Sequence, residues 1–536
     1  MGAKRAKTRS NPPPKTVIIG AGIGGLAAAL TLAAQGTEVI VYDRHDHAGG
    51  KIRAMQTPSG PVDYGPTVVT LLPYLEELLA ELGETLSEHV EVEAEPLLAR
   101  HFWPDGSQLD LFADRAASIA AVEAFSGRAS ADAFDRFSRQ AATSLQAFEV
   151  PVMRAPRISR PAVATAAMKA GADLLALLAP NRTLTDTTQS AFADPRLAQL
   201  FGRYATYVGG IPTLSPALLG LIWAAEERGV WRVRGGISAL ASALQRIAEA
   251  HGVRFRLGSG IARIECRNGR VCGVVTDNGE REETATVVFN GDPAALLRGL
   301  LGRAAQQAVT EAGVTPRSLS AAVWSGLAVV EGVELAHHNV FFGQDPATEF
   351  EPLAQGEMPD DATLYICAQD RGDETRPPQG PERFEIIMNA PPLTGEDRPR
   401  AQEEKARWQE KMLKWLSQRG LALTPEPDAW RLTTPQDFAQ AFPGSDGSLY
   451  GRSPHGMMAS FQRPTVRSRI PGLYLAGGGV HPGPGVPMAL LSGRHAGAAI
   501  AEDRISTSRF RRMAMRGGMS TGSPTPATKP YQSSAS

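Results

Sequence analysis

The sequence predicts an α/β fold built around a dinucleotide-binding (Rossmann-like) unit, and three observations predict it. A short apolar run, Thr16 to Ile19, ends in Gly20; the Ala- and Leu-rich residues after it keep a helical period up to Gly36; a second apolar run, Glu38 to Tyr42, closes on Asp43. Strand-like runs alternating with helical periods mark a parallel sheet wound with helices. Gly20, Gly22 and Gly25 stand at GxGxxG spacing where the first strand meets the helix. That spacing permits a tight turn, lets backbone N–H groups approach a pyrophosphate and brings helix close to strand. Glycine makes up 54 of the 536 residues, so the spacing alone is a weak signal. Its context makes it specific, because Asp43 follows at the end of the second strand, placed to accept hydrogen bonds from a ribose diol.

Composition bounds the function classes. With 43% hydrophobic and 21% charged residues the chain can bury large cores, and its length suggests more than one interwoven domain. A formal net charge of -1 provides no field for nucleic acid, which is excluded as a partner, or for anionic lipid. Cys266, Cys272 and Cys367 form neither a disulfide framework nor a CxxC or CxxH cluster. They read as packing thiols in a reducing cytoplasm, with no metal expected. Met1 to Pro14 is basic and proline-rich without an apolar segment, an expected disordered arm. No run approaches the ~20 apolar residues of a membrane-spanning helix.

The elements after Asp43 specify the cofactor. Arg44 follows the acid, then come Ala48, Gly49, Gly50 and Lys51, and a little later Gly60, Pro61, Val62, Asp63, Tyr64, Gly65 and Pro66. The two segments resemble the second signature of FAD enzymes related to the flavin amine oxidases and bacterial phytoene desaturases, in which a GG doublet and a D-x-G-P line the flavin. The resemblance implies FAD held by Gly20, Gly22, Gly25, Asp43, Arg44, Gly49, Gly50, Lys51, Gly65 and Pro66. Lys51 stands where arginine is usual, which keeps a cation beside the diphosphate without bidentate geometry.

The middle of the chain continues the pattern. Gly229 to Arg234, with Gly235 and Gly236, leads into an amphipathic helix carrying Leu240, Leu244 and Ile247 on one face. Four strand-like runs follow, Val253 to Leu257, Gly260 to Glu265, Val271 to Thr276 and Thr286 to Asn290, with a hairpin signal at Asn268-Gly269. This stretch resembles the second FAD-binding segment of the same family. Ile261 then reads either as an adenine contact or as sheet core.

The last segment is the most informative. Gly472 to Ala476 is strand-like and runs into Gly477, Gly478, Gly479, Val480, His481, Pro482 and Gly483, then Gly485, Val486, Pro487 and Met488, with a helix starting near Ala489. A glycine-rich turn before a helix N-terminus suits an electron-rich flavin edge, because unpaired N–H groups and the helix dipole meet there. The Gly-Asp pair of amine oxidases is replaced here. Together with Leu449-Tyr450-Gly451-Arg452 and His455-Gly456, the pattern resembles the carotenoid desaturases, most closely the 1-hydroxycarotenoid 3,4-desaturases or methoxyneurosporene dehydrogenases. Gly478, Gly479, Val486, Pro487 and Met488 become expected cofactor contacts. His481 reads as a loop hydrogen-bonder, and no catalytic acid or base is assigned.

The resemblance covers about Lys15 to Arg504 and implies desaturation of an acyclic hydroxycarotenoid by hydride transfer to flavin, with oxygen or a quinone as final acceptor. A neurosporene or phytoene desaturase, a carotenoid isomerase, a flavin amine oxidase and a prenyl-lipid carrier of related fold are the alternatives. The expected organisation is an FAD-binding domain from segments 15–109, 229–300 and 449–503. A helix-rich α+β substrate domain comes from 110–228 and 301–448, and a disordered tail from 504–536. His337, His338 and Asn339, beside Phe341 and Phe342, are candidates for one end of the substrate tunnel. Pro161 to Pro180 is either a buried core helix or a face that docks on a bilayer, giving a cytoplasmic protein peripheral to the inner membrane.

Overall fold

The computed structural model describes residues 15–179, 181–372, 380–394 and 402–517. Eight elements position the site: β1 (Lys15–Ile19), α1 (Ile23–Ala34), β2 (Glu38–Tyr42), α2 (Ile237–Ala250), β3 (Arg254–Arg256), β4 (Val287–Phe289), β5 (Leu473–Leu475) and α3 (Val486–Gly517). The strands form one sheet in the order β3-β2-β1-β4-β5, and every pairing is parallel. Val17 pairs with Ile40 on one side and Val287 on the other, so apolar side chains fill both faces of a sheet covered by helices. Three distant stretches of sequence therefore share one sheet.

Glycines set how closely the helices pack. A Cβ on Gly493 of α3 would lie 2.2 Å from the Gly24 carbonyl oxygen of α1, and one on Gly497 would lie 2.6 Å from Thr31 Cγ2. One turn of α3 thus presents two positions without side chains, and the C-terminal helix seats directly on the first one. The hairpin expected at Asn268-Gly269 joins strands Ile261–Arg267 and Arg270–Thr276, and both turn residues have positive φ, 52° and 71°.

A second, seven-stranded mixed sheet lies beside the first domain. Its order is Leu421–Thr433, Ser320–Gly332, Glu382–Ala390, Leu364–Ala368, His338–Phe341, Leu97–Phe102 and Gln108–Phe112. Helices from the stretch between Arg115 and Glu227 cover part of the molecule and pack through an aromatic cluster of Phe134, Phe137, Phe192, Phe201, Tyr204 and Trp223.

Two expectations change here. The stretch from 504 continues as helix to Gly517 because α3 does not stop at Asp503; Arg504 bonds Thr37 and Thr16 through its guanidinium at 2.8 Å each. The expected arm, Met1 to Pro14, and residues 518–536 lie outside the described residues. The stretch after Ser159 is no core helix: it breaks into Arg160–Ala170 and Ala172–Leu177 at Gly171, whose φ is 103°. Only Ala167, Leu174 and Leu177 of these two helices are buried, while Met168 and Leu175 are exposed.

Candidate functional site

The first turn forms as its glycines require. Gly20 has φ 104°, and a Cβ on Gly25 would lie 2.0 Å from the Gly20 carbonyl oxygen, so neither position tolerates a side chain. No side chain caps the start of α1, whose Ncap is Gly22, which leaves its first N–H groups for a ligand. Asp43 Oδ2 accepts the Ala21 N–H at 2.7 Å and Oδ1 accepts the His45 N–H at 2.8 Å. A carboxylate has further lone pairs for a diol. Arg44 is exposed at the strand end.

The GG doublet packs on this turn. Gly49 N–H donates to Ala21 O at 2.9 Å, and a Cβ on Gly50 would meet Gly22 Cα at 3.0 Å. Gly65 stacks against the same loop, since a Cβ there would lie 2.1 Å from Lys51 O. Its N–H donates to Glu385 Oε1 at 2.6 Å. Asp63 packs against the start of α2, where a Cβ on Gly236 would lie 1.9 Å from its Oδ2, so it ties the second segment to the first. Beyond Pro66, Thr67 shares a 2.7 Å hydrogen bond with Tyr365 Oη. Ile261 is buried and pairs with Thr276 in the hairpin sheet.

The third segment closes the cradle. Gly477 N–H donates to Ser492 Oγ of α3 at 2.7 Å, and Asn290 at the end of β4 donates to Gly20 O at 3.1 Å. Added Cβ atoms on Gly22, Gly24, Gly25 or Gly477 would all meet the Asn290 side chain, so one amide joins all three segments. Val486 and Pro487 line a cleft with Ile23, Val69 and Leu240, and Met488 is partly buried beside them in α3. His481 is buried, and its Nε2 meets the Ala155 carbonyl at 2.8 Å, the contact of a loop hydrogen-bonder.

Two cations, Lys51 partly exposed and Arg463 buried, sit beside this cradle. Lys51 Nζ donates to the Leu449 carbonyl, and burial lowers its pKa to about 8. Arg463 donates to the carbonyls of Tyr450, Gly478 and Arg452, and burial lowers it to about 10. Asp292, which attracts both electrostatically, is already paired with Arg317. The cradle therefore carries positive charge, side-chain-free turns and an uncapped helix, which fit a bound dinucleotide with an anionic diphosphate.

On the other side of Gly65 the seven-stranded sheet presents buried polar groups. His338 Nδ1 meets Tyr365 Oη at 2.6 Å, His337 Nδ1 meets the Arg371 carbonyl at 2.8 Å, and His337 Nε2 lies 3.5 Å from Cys367 Sγ. Burial pushes His337 down to about 4 and His338 well below its usual range, so both are neutral. Cys367 thus joins the two histidines in a buried group with ligand atoms within 4.8 Å of one another, a proximity that sequence spacing conceals. Asn339 is fully buried, accepts the Ala336 N–H and donates to Ala336 O and Ile366 O, so its amide bonds the backbone.

Sequence reasoning missed Asn290, Arg463, Glu385 and Tyr365. A polar residue at the carboxyl end of a parallel strand was a usable signal for Asn290. A lone acid within the apolar run Arg383 to Asn389 was one for Glu385. Nothing local marks Arg463 or Tyr365.

Fold and site together define a two-domain oxidoreductase with a nucleotide cradle at the carboxyl ends of a parallel sheet. The chain belongs to the flavin containing amine oxidoreductase family, whose profile matches residues 23–501. It is 51% identical over 496 residues to a hydroxyneurosporene desaturase of Cereibacter sphaeroides, covering 92% of this chain and 99% of that one. A hydroxyneurosporene desaturase of Rubrivivax gelatinosus is 42% identical over 513 residues, 95% and 98% of the two chains. Among solved structures, cyclohexylamine oxidase from Brevibacterium oxydans superposes with a TM-score of 0.54 at 18% identity, over 92% of this chain and 99% of that one, a likeness of fold.

Proposed function

We propose that this chain is an FAD-dependent carotenoid desaturase that introduces a carbon–carbon double bond into an acyclic 1-hydroxycarotenoid of the hydroxyneurosporene type. The observation that carries the reading is the 51% identity, across 99% of its length, to a protein named for that reaction. The cradle supports FAD in particular: a diol acceptor at Asp43, an uncapped helix start for the diphosphate, and a third glycine turn for the ring system. The chemistry FAD supplies when bound is acceptance of a hydride from a carbon beside the polyene while a neighbouring proton leaves; the electrons then pass to oxygen or a quinone.

The chain's own residues bind, orient and exclude water. Gly20, Gly22, Gly25, Gly49, Gly50, Gly65, Pro66, Gly478 and Gly479 shape the cradle, and Lys51 and Arg463 offset negative charge within it. Arg44, Ile261, Val486, Pro487 and Met488 are assigned to its edges. The fully buried carboxyl of Glu385 receives the Gly65 N–H and holds that loop against the second sheet.

A long apolar substrate must come from lipid. Among the described residues no helix is long and apolar enough to cross a membrane. Val150, Met168 and Leu175, exposed by 69%, 63% and 45%, lie on the short helices around the Phe148, Ala167 and Leu174 cluster, with Arg157, Arg160 and Lys169 exposed on the same stretch. Apolar tips among cations suit peripheral docking on the cytoplasmic membrane surface.

The test is incubation of FAD-loaded protein with 1-hydroxyneurosporene in liposomes, followed by absorption and product mass. Loss of two hydrogens with a red shift is expected. An unchanged carotenoid in the presence of bound FAD and an electron acceptor would refute the assignment.

A further inference from the structure

We propose that Arg203 and Tyr207 form the polar anchor for the tertiary hydroxyl of the carotenoid, and so select hydroxylated over plain substrates. The inference rests on the desaturase reading and adds the specificity-determining pair.

Both residues lie on the 3-10 helix Arg203–Val208, which follows the helix Pro195–Gly202. Arg203 Nη2 donates to Tyr207 Oη at 3.1 Å, with the guanidinium 5.0 Å from the centre of the Tyr207 ring. Beside the pair, buried Glu226 accepts the Tyr204 O–H through Oε2 at 2.6 Å. Tyr207 orients Arg203 through the hydrogen bond and the ring contact.

The guanidinium has donors to spare. It carries five N–H groups, and among the described residues it makes one hydrogen bond and no ion pair. Arg203, Tyr207, Tyr365 and Tyr450 are each partly withdrawn from solvent without being fully buried. N–H donors withdrawn from water are costly unless a partner brings an acceptor. A carotenoid hydrocarbon has none. A hydroxylated one has a single oxygen.

The location also fits. The chain leaving this 3-10 helix packs on Tyr450, since a Cβ on Gly209 would lie 2.4 Å from Tyr450 Cδ2. The Tyr450 carbonyl is tied through Arg463 to Gly478. The helix that carries the pair therefore abuts the loops assigned to the flavin. The 1-hydroxyl of such a substrate is only a few bonds from the carbons that lose hydrogen, so its anchor has to lie near the flavin and not at the far end of a tunnel. Tyr365 itself is committed to His338 and Thr67, which leaves Arg203 as the open donor.

The experiment compares wild type with Arg203→Met, Arg203→Lys and Tyr207→Phe, each with FAD bound. Affinity for 1-hydroxyneurosporene and neurosporene in detergent micelles is read by quenching of tryptophan fluorescence, and turnover is read separately. Wild type should bind the hydroxylated probe about 10- to 100-fold more tightly, the value of one hydrogen bond from a charged donor. Arg203→Met should bring that ratio close to one, Arg203→Lys should restore part of it, and Tyr207→Phe should fall between. A ratio unchanged in Arg203→Met and Tyr207→Phe overturns the anchor, as does an equal loss of affinity for both probes. Binding preference without turnover of either carotenoid would sink the desaturase reading and leave the hydroxyl site standing.

Discussion

At the scale of single residues, Glu385 shows how burial decides chemistry. It is 0% exposed, its Oε1 takes the Gly65 N–H, and its Oε2 has no partner. Burial pushes the carboxyl well above its ordinary 4.5, with the nearby Asp63 adding to the shift. Protonating it at pH 7 costs about 3 kcal/mol, whereas an unpaired buried carboxylate costs several kcal/mol. The neutral acid wins. An acid whose pKa is raised on folding binds its proton in the native state and loses it in the unfolded state. Its presence therefore makes stability fall as pH rises above about 4.5. Glu385→Gln removes that proton and keeps the hydrogen bond to Gly65. Its melting temperature between pH 5 and 9 should vary less than that of the wild type and match or exceed it at pH 8. A pH dependence in the variant equal to that of the wild type would mean that Glu385 is ionised in the fold.

Elements carry the next level of constraint, and they also show what was legible. The β1 turn and the Asn268-Gly269 hairpin could be read because their requirements are local: positive φ and close backbone approach demand glycine or asparagine at fixed spacing. The seat of α3 on α1 was not legible, because Gly493 and Gly497 look like ordinary helix-weakening residues until Gly24 and Thr31 are opposite them. Gly493→Ala should raise helix propensity and still destabilise, by about 1–3 kcal/mol, since its Cβ meets a backbone oxygen at 2.2 Å. Gly497→Ala, opposite a threonine side chain that can shift, should cost less. Thermal unfolding followed by flavin fluorescence checks both; a Gly493→Ala protein as stable as wild type would mean that α3 is free to move away. The same distinction applies to the site. Asp43 announces itself at a strand end, whereas Asn339 sits in a promising polar-aromatic run and proves to serve the backbone.

For the whole molecule the question is how a protein of nearly balanced charge reaches a lipid-borne substrate. With a net charge of -1, the docking proposed above would depend on the apolar tips Val150, Met168 and Leu175 more than on a general field. Replacing all three with aspartate should reduce co-sedimentation with phosphatidylcholine vesicles several-fold, while turnover of detergent-dispersed carotenoid stays near wild type. Undiminished vesicle binding would place the membrane face elsewhere. The sequence by itself determined the parallel sheet, the glycine turns and the three-segment nucleotide cradle, because each depends on backbone conformation and hydrophobic period, which are properties of short stretches. Only the tertiary structure decided that Asn290 joins the cradle, that Asn339 bonds the backbone, and that Arg203 spends one hydrogen bond of its guanidinium on Tyr207. Burial and hydrogen-bond satisfaction are set by residues far away in the chain, and no local pattern encodes them.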